Sequence, residues 1–268
     1  MTHIRVTQLA TIGFYCFVVA CQEKAPTQLQ QNSTTADLVT HHFDDGTLGG
    51  FYTESGAAVA VVNDPSSLRG GKVVSIRYQD PGPRADINKQ IKFDPPNMGL
   101  GKSLFFRGYL YFPPGTANFE NIEVQRKILY GQGGANNEFS FVLDMRAAKD
   151  GLYIQYTESG RTIPDTFIGS GPIQMGQWYR IETEVRLQST LTAQDGIIRV
   201  WIDGDLKYEK TNARFMPTSY TGITNWRSWY VGQQREGSDT GGFPTVELNI
   251  DERRYWDNVA FSHFRIGP

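Results

Sequence analysis

The chain predicts an all-β fold, two antiparallel sheets packed as a β-sandwich, and three observations carry that prediction. The first is residues 176–204, GQWYRIETEVRLQSTLTAQDGIIRVWIDG, where Tyr179, Ile181, Thr183, Val185 and Leu187 alternate with Arg180, Glu182, Glu184 and Arg186. Period two belongs to a strand with one buried face, and a helix would scatter the same residues around its circumference. The second is the supply of turn residues, 28 glycines among them, which a sheet with many connections needs. The third is negative: no stretch has a convincing amphipathic helical period, and no internal repeat of roughly 20–50 residues is present.

Bulk composition narrows the function classes. With 268 residues, 39% hydrophobic and 20% charged, the chain can close a single core without a second domain. A formal net charge of -2 provides no basic field, so nucleic acid is not an expected partner and any polyanion must meet a local patch. The chain is expected to act as a monomer. Its 13% aromatic content serves core and sugar stacking equally well and does not separate them.

Taken in order, residues 1–20 read as an export signal: Arg5 is a thin charged region, and the apolar run 9–20 is too short for a permanent membrane span. The run ends Val18-Val19-Ala20-Cys21, which resembles a bacterial lipobox. That resemblance implies cleavage before Cys21 and lipidation of its thiol. Gln22, rather than Asp, then implies anchoring at the outer membrane or cell surface. Cys16 lies in the segment to be discarded, so no disulfide is expected and the fold must rest on packing. Residues 21–40, rich in Gln, Ser and Thr, bury too little to become ordered and read as a tether. The sandwich is expected over 41–268.

Within it, HHFDDGTLGGFY (41–52) suggests a first edge strand about an Asp-Gly turn. His41 and His42 with Asp44 and Asp45 do not make a metal site, because adjacent strand residues face opposite ways. Strands are expected at 57–62 and 72–79, then near 87–93 between Pro81, Pro83, Pro95 and Pro96. KSLFFRGYLYF (102–112) places Leu104, Phe106, Leu110 and Phe112 on one face and Phe105, Arg107, Tyr109 and Tyr111 on the other. A pair follows at 123–130 and 138–146, then LYIQYT at 152–157, and a link rich in Gly and Pro leads to the strand at 179–187. Asp203-Gly204 joins 197–202 to 205–211 as a hairpin. Residues 225–233 bring Trp226, Trp229 and Tyr230 together, and DERRYWDNVAFSHFRIGP (251–268) supplies the last strand.

The Gly176-x-Trp178-Tyr179 entry, the closing Asp203-Gly204 and the terminal Tyr-Trp-Asp-Asn-Val-Ala-Phe-Ser run resemble the concanavalin A-like lectin and glucanase superfamily. Within it, the pattern over 41–268 is similar to the jelly roll of the heparinase I-like polysaccharide lyases. The resemblance implies two curved sheets that handle glycans, with the last strand pairing with the first, and it carries no catalytic motif with it.

Three chemistries can be weighed on that fold. The hydrolases of the superfamily use a Glu-x-Asp-x-x-Glu motif, which is absent. Glu182 and Glu184 share a face about 6–7 Å apart, but Arg180 and Arg186 share it too, so the four charges read as a solvated ion ladder. A lyase needs a cation to neutralise a uronate carboxylate and a base to take the neighbouring proton. Arg107, Tyr109, Tyr111 and Lys127 are the catalytic candidates, provided they converge in one cleft. Between Phe43 and Ser262 there is no histidine, so a tyrosine would have to act as base, favoured by a close cation such as Arg107. Glycan binding asks only for aromatic faces and polar contacts: Trp226, Trp229, Tyr230, Tyr153, Gln155, Arg199 and Arg227. Asp257 and Asn258 could join a calcium site, though no loop has ligand spacing, and no cofactor is expected. The expected function is an extracytoplasmic polysaccharide-binding lipoprotein, with a lyase of a uronate-containing polysaccharide as the alternative.

Overall fold

The computed structural model describes residues 38–79, 87–116, 124–146, 151–169, 173–237 and 251–267. The described residues fall in one compact unit, Ala36–Pro268. The export signal, Cys21 and the tether up to residue 37 lie outside them.

Fifteen strands are present among the described residues: β1 Val39–His41, β2 Val59–Asn63, β3 Lys72–Gln79, β4 Ile87–Asn88, β5 Ile91–Phe93, β6 Ser103–Tyr111, β7 Val124–Gly133, β8 Phe139–Arg146, β9 Gly151–Glu158, β10 Arg161–Phe167, β11 Trp178–Arg186, β12 Gly196–Ile202, β13 Asp205–Ala213, β14 Trp226–Gly237 and β15 Asp251–Ser262. Eight form one sheet in the order β13-β12-β11-β6-β15-β3-β2, with β1 also on β15; seven form the other in the order β10-β9-β8-β7-β14-β4, with β5 also on β14. All described pairings are antiparallel. The alternation read from the sequence decides which side of each strand turns inward. Leu104, Phe106, Leu110, Ile181, Val185, Ile198 and Val200 of the eight-stranded sheet meet Leu129, Phe139, Phe141, Leu143, Leu152 and Ile154 of the seven-stranded sheet in one core.

Two expectations are corrected. The amino-terminal strand is Val39–His41, paired with Val259, Ala260 and Phe261 of β15, so the sandwich begins ahead of residue 41 and residues 43–52 are turns and one isolated bridge. The first and last strands do pair, as the resemblance implied. The link after β9 is itself a strand, β10. Pro164 interrupts its alternation, and the register slips between Ile163 and Thr166. Proline has no N–H to give to a ladder, and β10, an edge of the described sheet, is a place where sheets tolerate it.

One inward feature is charged. Between the sheets Arg126 Nε donates to both Glu252 oxygens at 3.1 Å, Arg254 Nε donates to Glu252 Oε1 at 2.8 Å, and the Arg254 guanidinium lies 4.1 Å from the Tyr78 ring centroid. The Tyr78 hydroxyl donates to the Gly232 carbonyl. A buried carboxylate survives there because several donors replace its water.

Candidate functional site

On the outward face of the eight-stranded sheet, charged side chains pair with one another. Arg180 and Arg265 hold Glu182 at 2.9 and 3.2 Å, and Arg199 bridges Glu184 and Glu209 at 2.8 and 2.7 Å. The ion ladder expected from the sequence is therefore present, with Arg199 and Arg265 as partners that the spacing did not name. Arg186 instead donates to the Asp195 carbonyl.

The same face carries three of the four expected catalytic residues, and their surroundings argue against the role. Arg107 donates to Asn258 Oδ1 at 2.7 Å. Tyr109 is capped by the Arg69 guanidinium 3.7 Å from its ring centroid, and Arg69 is fixed in turn by Asp257 at 2.6 Å. Tyr111 stacks on Trp178 at 5.1 Å and is buried. Burial, then the Asp64 carboxylate and Tyr255, push its hydroxyl above the ordinary tyrosine range, the wrong direction for a base at neutral pH. Asp257 and Asn258, inside β15, are engaged by Arg69 and Arg107. Among the described residues no three His, Cys, Asp or Glu side chains gather as a metal site.

Lys127 lies on β7, in the other sheet. Arg107 and Lys127 occupy outward faces of opposite sheets, so the convergence that the sequence reading required does not occur. Tyr230, Tyr153 and Gln155 join Lys127, and Arg199 does not. Trp226 and Trp229 are corrected as sugar platforms: they are 2% and 1% exposed, face each other at 5.0 Å and pack on Phe139, Phe215, Phe141 and Phe261. β14 is a central strand rather than a loop, so its indoles turn into the core. Arg227, exposed at the start of β14, donates to the Ala135 carbonyl at 2.9 Å beside a cavity of ≈ 440 Å³ lined by Gly134, Ala135, Ile223, Asn225 and Trp226.

The outward face of the seven-stranded sheet is built by register. Lys92 of β5, Tyr230 of β14, Tyr130 of β7, Val142 of β8 and Gln155 of β9 stand opposite one another in a single row across the strands. Beside it run Ser228, Gln132 and Ser140 on one side, and Lys127, Asp144, Tyr153 and Phe167 on the other. At the centre, Tyr130 and Tyr230 stack with centroids 5.7 Å apart. Gln132 bridges their hydroxyls: its amide N–H donates to Tyr130 at 2.8 Å and its carbonyl accepts from Tyr230 at 2.9 Å. Lys127 Nζ lies 5.7 Å from the Tyr130 ring centroid, and Lys92 Nζ lies 5.4 Å from that of Tyr230. Two phenols locked by one amide thus have an ammonium on each flank.

Lys92 also lies 5.2 Å from the Tyr52 ring centroid, and the Tyr52 hydroxyl donates to Asp94 at 2.5 Å. Burial acts to lower the Lys92 pKa, but the Tyr52 hydroxyl, Tyr230 and Asp94 outweigh it, and the group titrates above the ordinary lysine range. Burial, then the bond to Asp94, raises the Tyr52 pKa.

Tyr130, Gln132, Lys92 and Tyr52 were not among the residues the sequence singled out. A signal was present in Tyr130-Gly131-Gln132-Gly133. A Cβ on Gly131 would lie 2.7 Å from the Trp229 ring, and one on Gly133 would lie 1.9 Å from Phe139. Glycine at alternate positions lets the inward side of β7 accept those rings, and it leaves Tyr130 and Gln132 as the outward pair.

Sequence comparison finds no matching family and no matching characterised protein. Solved structures do match. The endo-β-1,4-glucuronan lyase of the fungus Trichoderma reesei superposes with a TM-score of 0.63 at 14% identity, covering 85% of this chain and 95% of that one. An alginate lyase solved with an alginate trisaccharide gives 0.53 at 12% identity, covering 82% and 100%. The binding domain of botulinum neurotoxin serotype G gives 0.51 at 9% identity, covering 87% of this chain and 49% of that one. At such identities the likeness is one of fold: this chain is a two-sheet jelly-roll β-sandwich of the kind that these polysaccharide lyases share.

Proposed function

We propose that the protein is a polysaccharide lyase that cleaves a uronate-containing polysaccharide by β-elimination on the outward face of the seven-stranded sheet. The observation that carries this reading is the Tyr130–Gln132–Tyr230 bridge with Lys92 and Lys127 on its flanks. The fold likeness to glucuronan and alginate lyases supports it.

The roles follow from the direction of the hydrogen bonds. The Tyr230 proton is committed to Gln132 Oε1, whereas the Tyr130 oxygen receives the amide N–H, the donor a phenolate needs. Tyr130 is therefore the proton-transfer group. Lys127, on its flank, pairs with the uronate carboxylate and withdraws charge from C5. With its own proton first released to solvent, the Tyr130 phenolate oxygen takes the C5 proton, the C5–H electron pair becomes the C4–C5 double bond, and the C4–O bond to the leaving sugar breaks. The same hydroxyl, now protonated, returns its proton to the leaving oxygen. Atoms and charge balance with no co-reactant.

The test is to mix the full chain with glucuronan, alginate, heparin and pectate and to follow the absorbance of the unsaturated uronate. A rise is expected with one of them. It should fall about 10²–10⁴-fold in Tyr130→Phe, the usual range for loss of a general acid–base group, and persist in Arg107→Ala. No rise, together with retardation in a gel containing one of these polymers, would leave a glycan-binding protein without turnover. We also propose that the protein is exported and anchored through lipidated Cys21. Cys21→Ser should then move it from the membrane to the soluble fraction, and an unchanged distribution would remove the anchor.

A further inference from the structure

The seven-stranded face does not end at the central phenols, and its two flanks each carry an exposed aromatic ring. Tyr52 is 38% exposed and Phe167 is 52% exposed. Tyr52 bridges to Lys92, which reaches on to Tyr230. Phe167 stands opposite Tyr153 with ring centroids 5.4 Å apart, and Tyr153 stands opposite Asp144, which faces Lys127. Both rings therefore lie on the side of the sheet that holds the Tyr130–Tyr230 pair. They are separated by six strand spacings, about 29 Å at 4.8 Å each, with the phenols between them.

The core does not account for either ring. Phe167 ends an edge strand, where a polar side chain would meet water at no penalty, and it leaves half of its surface there. A flat apolar ring with a polar neighbour suits the CH-rich face of a pyranose, whose rim hydroxyls seek hydrogen bonds. Between the rings, Gln155, Lys127 and Lys92 offer such polar and cationic contacts. A polymer crossing the sheet meets both rings, whereas a ligand of two or three sugars held at the phenols falls short of at least one of them.

We propose that Phe167, backed by Tyr153, and Tyr52, backed by Lys92, are the terminal sugar platforms of one polysaccharide track across the seven-stranded sheet, so that affinity depends on a chain long enough to touch both. This rests on taking that sheet as the glycan face, and it is tested by binding, which requires no cleavage.

The experiment places each ring substitution on a Tyr130→Phe background in the full chain, to suppress turnover. Dissociation constants are then measured for the polymer that responds in the panel above, or failing any rise the one that retards the protein, and for its trisaccharide. Phe167→Ala and Tyr52→Ala should each weaken polymer binding about tenfold, as expected for one stacked ring. Trisaccharide binding should weaken less than twofold in at least one of them. Phe167→Trp and Tyr52→Phe, which keep a ring, should bind the polymer as their parent does. Equal losses for polymer and trisaccharide in both variants, or no loss for the polymer, would overturn the proposal. So would a loss that the ring-keeping variants share. Thermal midpoints of the variants separate lost contact from lost fold: a fall in affinity that follows a fall in Tm also counts against it. A protein that binds in this length-dependent way but never cleaves would keep the platforms and reject the lyase; one that cleaves without length dependence would do the reverse.

Discussion

Trp229 pairs through β14 with Gly131 of β7, and its ring fills the space that a side chain there would take. Removing it leaves a void among Phe141, Phe261 and Trp226, and Trp229→Ala should destabilise by about 3–5 kcal/mol, read as a lower urea midpoint. A glycan platform would have lost affinity and kept its midpoint. Tyr156 gives a second expectation. Burial, then the Glu158 carboxylate, push its hydroxyl up to about 12. An acid whose folded pKa exceeds its unfolded value of about 10 contributes stability that is complete below the unfolded value and is lost as pH rises toward the folded one. The urea midpoint should therefore fall between about pH 10 and 12, and Tyr156→Phe should flatten that fall. A slope unchanged in the variant would assign it to other groups, such as buried Tyr78.

At the scale of elements, the positions of the side chains depend on a few places where backbone approaches packed atoms. Gly232 of β14 has φ +70, and a Cβ there would lie 2.8 Å from Ile76, 3.0 Å from the Tyr78 hydroxyl and 3.2 Å from the Trp256 indole nitrogen. The residue sits inside the register slip of β14 against β7 between Val231 and Gln234, where the seven-stranded sheet leans on its partner. Gly232→Ala should destabilise by about 1–3 kcal/mol, since neither the φ nor the space admits a methyl group; a neutral denaturation curve would mean that β14 can shift. On the opposite sheet, the turn from Asp64 to Gly71 shows why an outward face can be unavailable. Asp64 accepts from the backbone N–H of Ser66, Arg69 and Gly70, and the turn so formed lays Arg69 over Tyr109 and gives Ser66 to the Trp178 indole. The sequence shows Asn63-Asp64-Pro65 as a turn, but not what that turn lies on.

For the whole molecule, the amino-terminal strand sets how short a folded chain can be. β1 supplies the outer partner of Val259, Ala260 and Phe261, and His41 fastens it, its Nε2–H donating to Asp45 Oδ1 (3.2 Å) and to the Thr47 carbonyl (3.0 Å). A chain begun at residue 42 should melt below one begun at residue 37 by about 2–8 °C, for a loss of about 1–2 kcal/mol. Equal melting points would show that β1 adds nothing to the sandwich.

The strands were legible because alternation is a local property. A side chain's direction reverses at every residue, so the runs at 72–79, 102–112, 138–146 and 179–187 declare themselves wherever one face is apolar. Two strands escaped: β1, whose three residues are too few to show a period, and β10, where Pro164 and a register slip break it. What the sequence alone determined is therefore the all-β class, the position of most strands, and the engagement of Glu182 with Arg180; Arg199 and Arg265, which complete the ion ladder over two nearly buried glutamates, come from other strands. The sequence did not determine which sheet each strand joins, because pairing is decided between residues far apart in the chain and by the packing of all strands together. That decision, made only in the tertiary structure, puts β6 beside β11 and β15 and puts β7 beside β14. It therefore separates Arg107 from Lys127, buries Trp226 and Trp229, and brings Tyr130, Gln132 and Tyr230 within hydrogen-bonding distance.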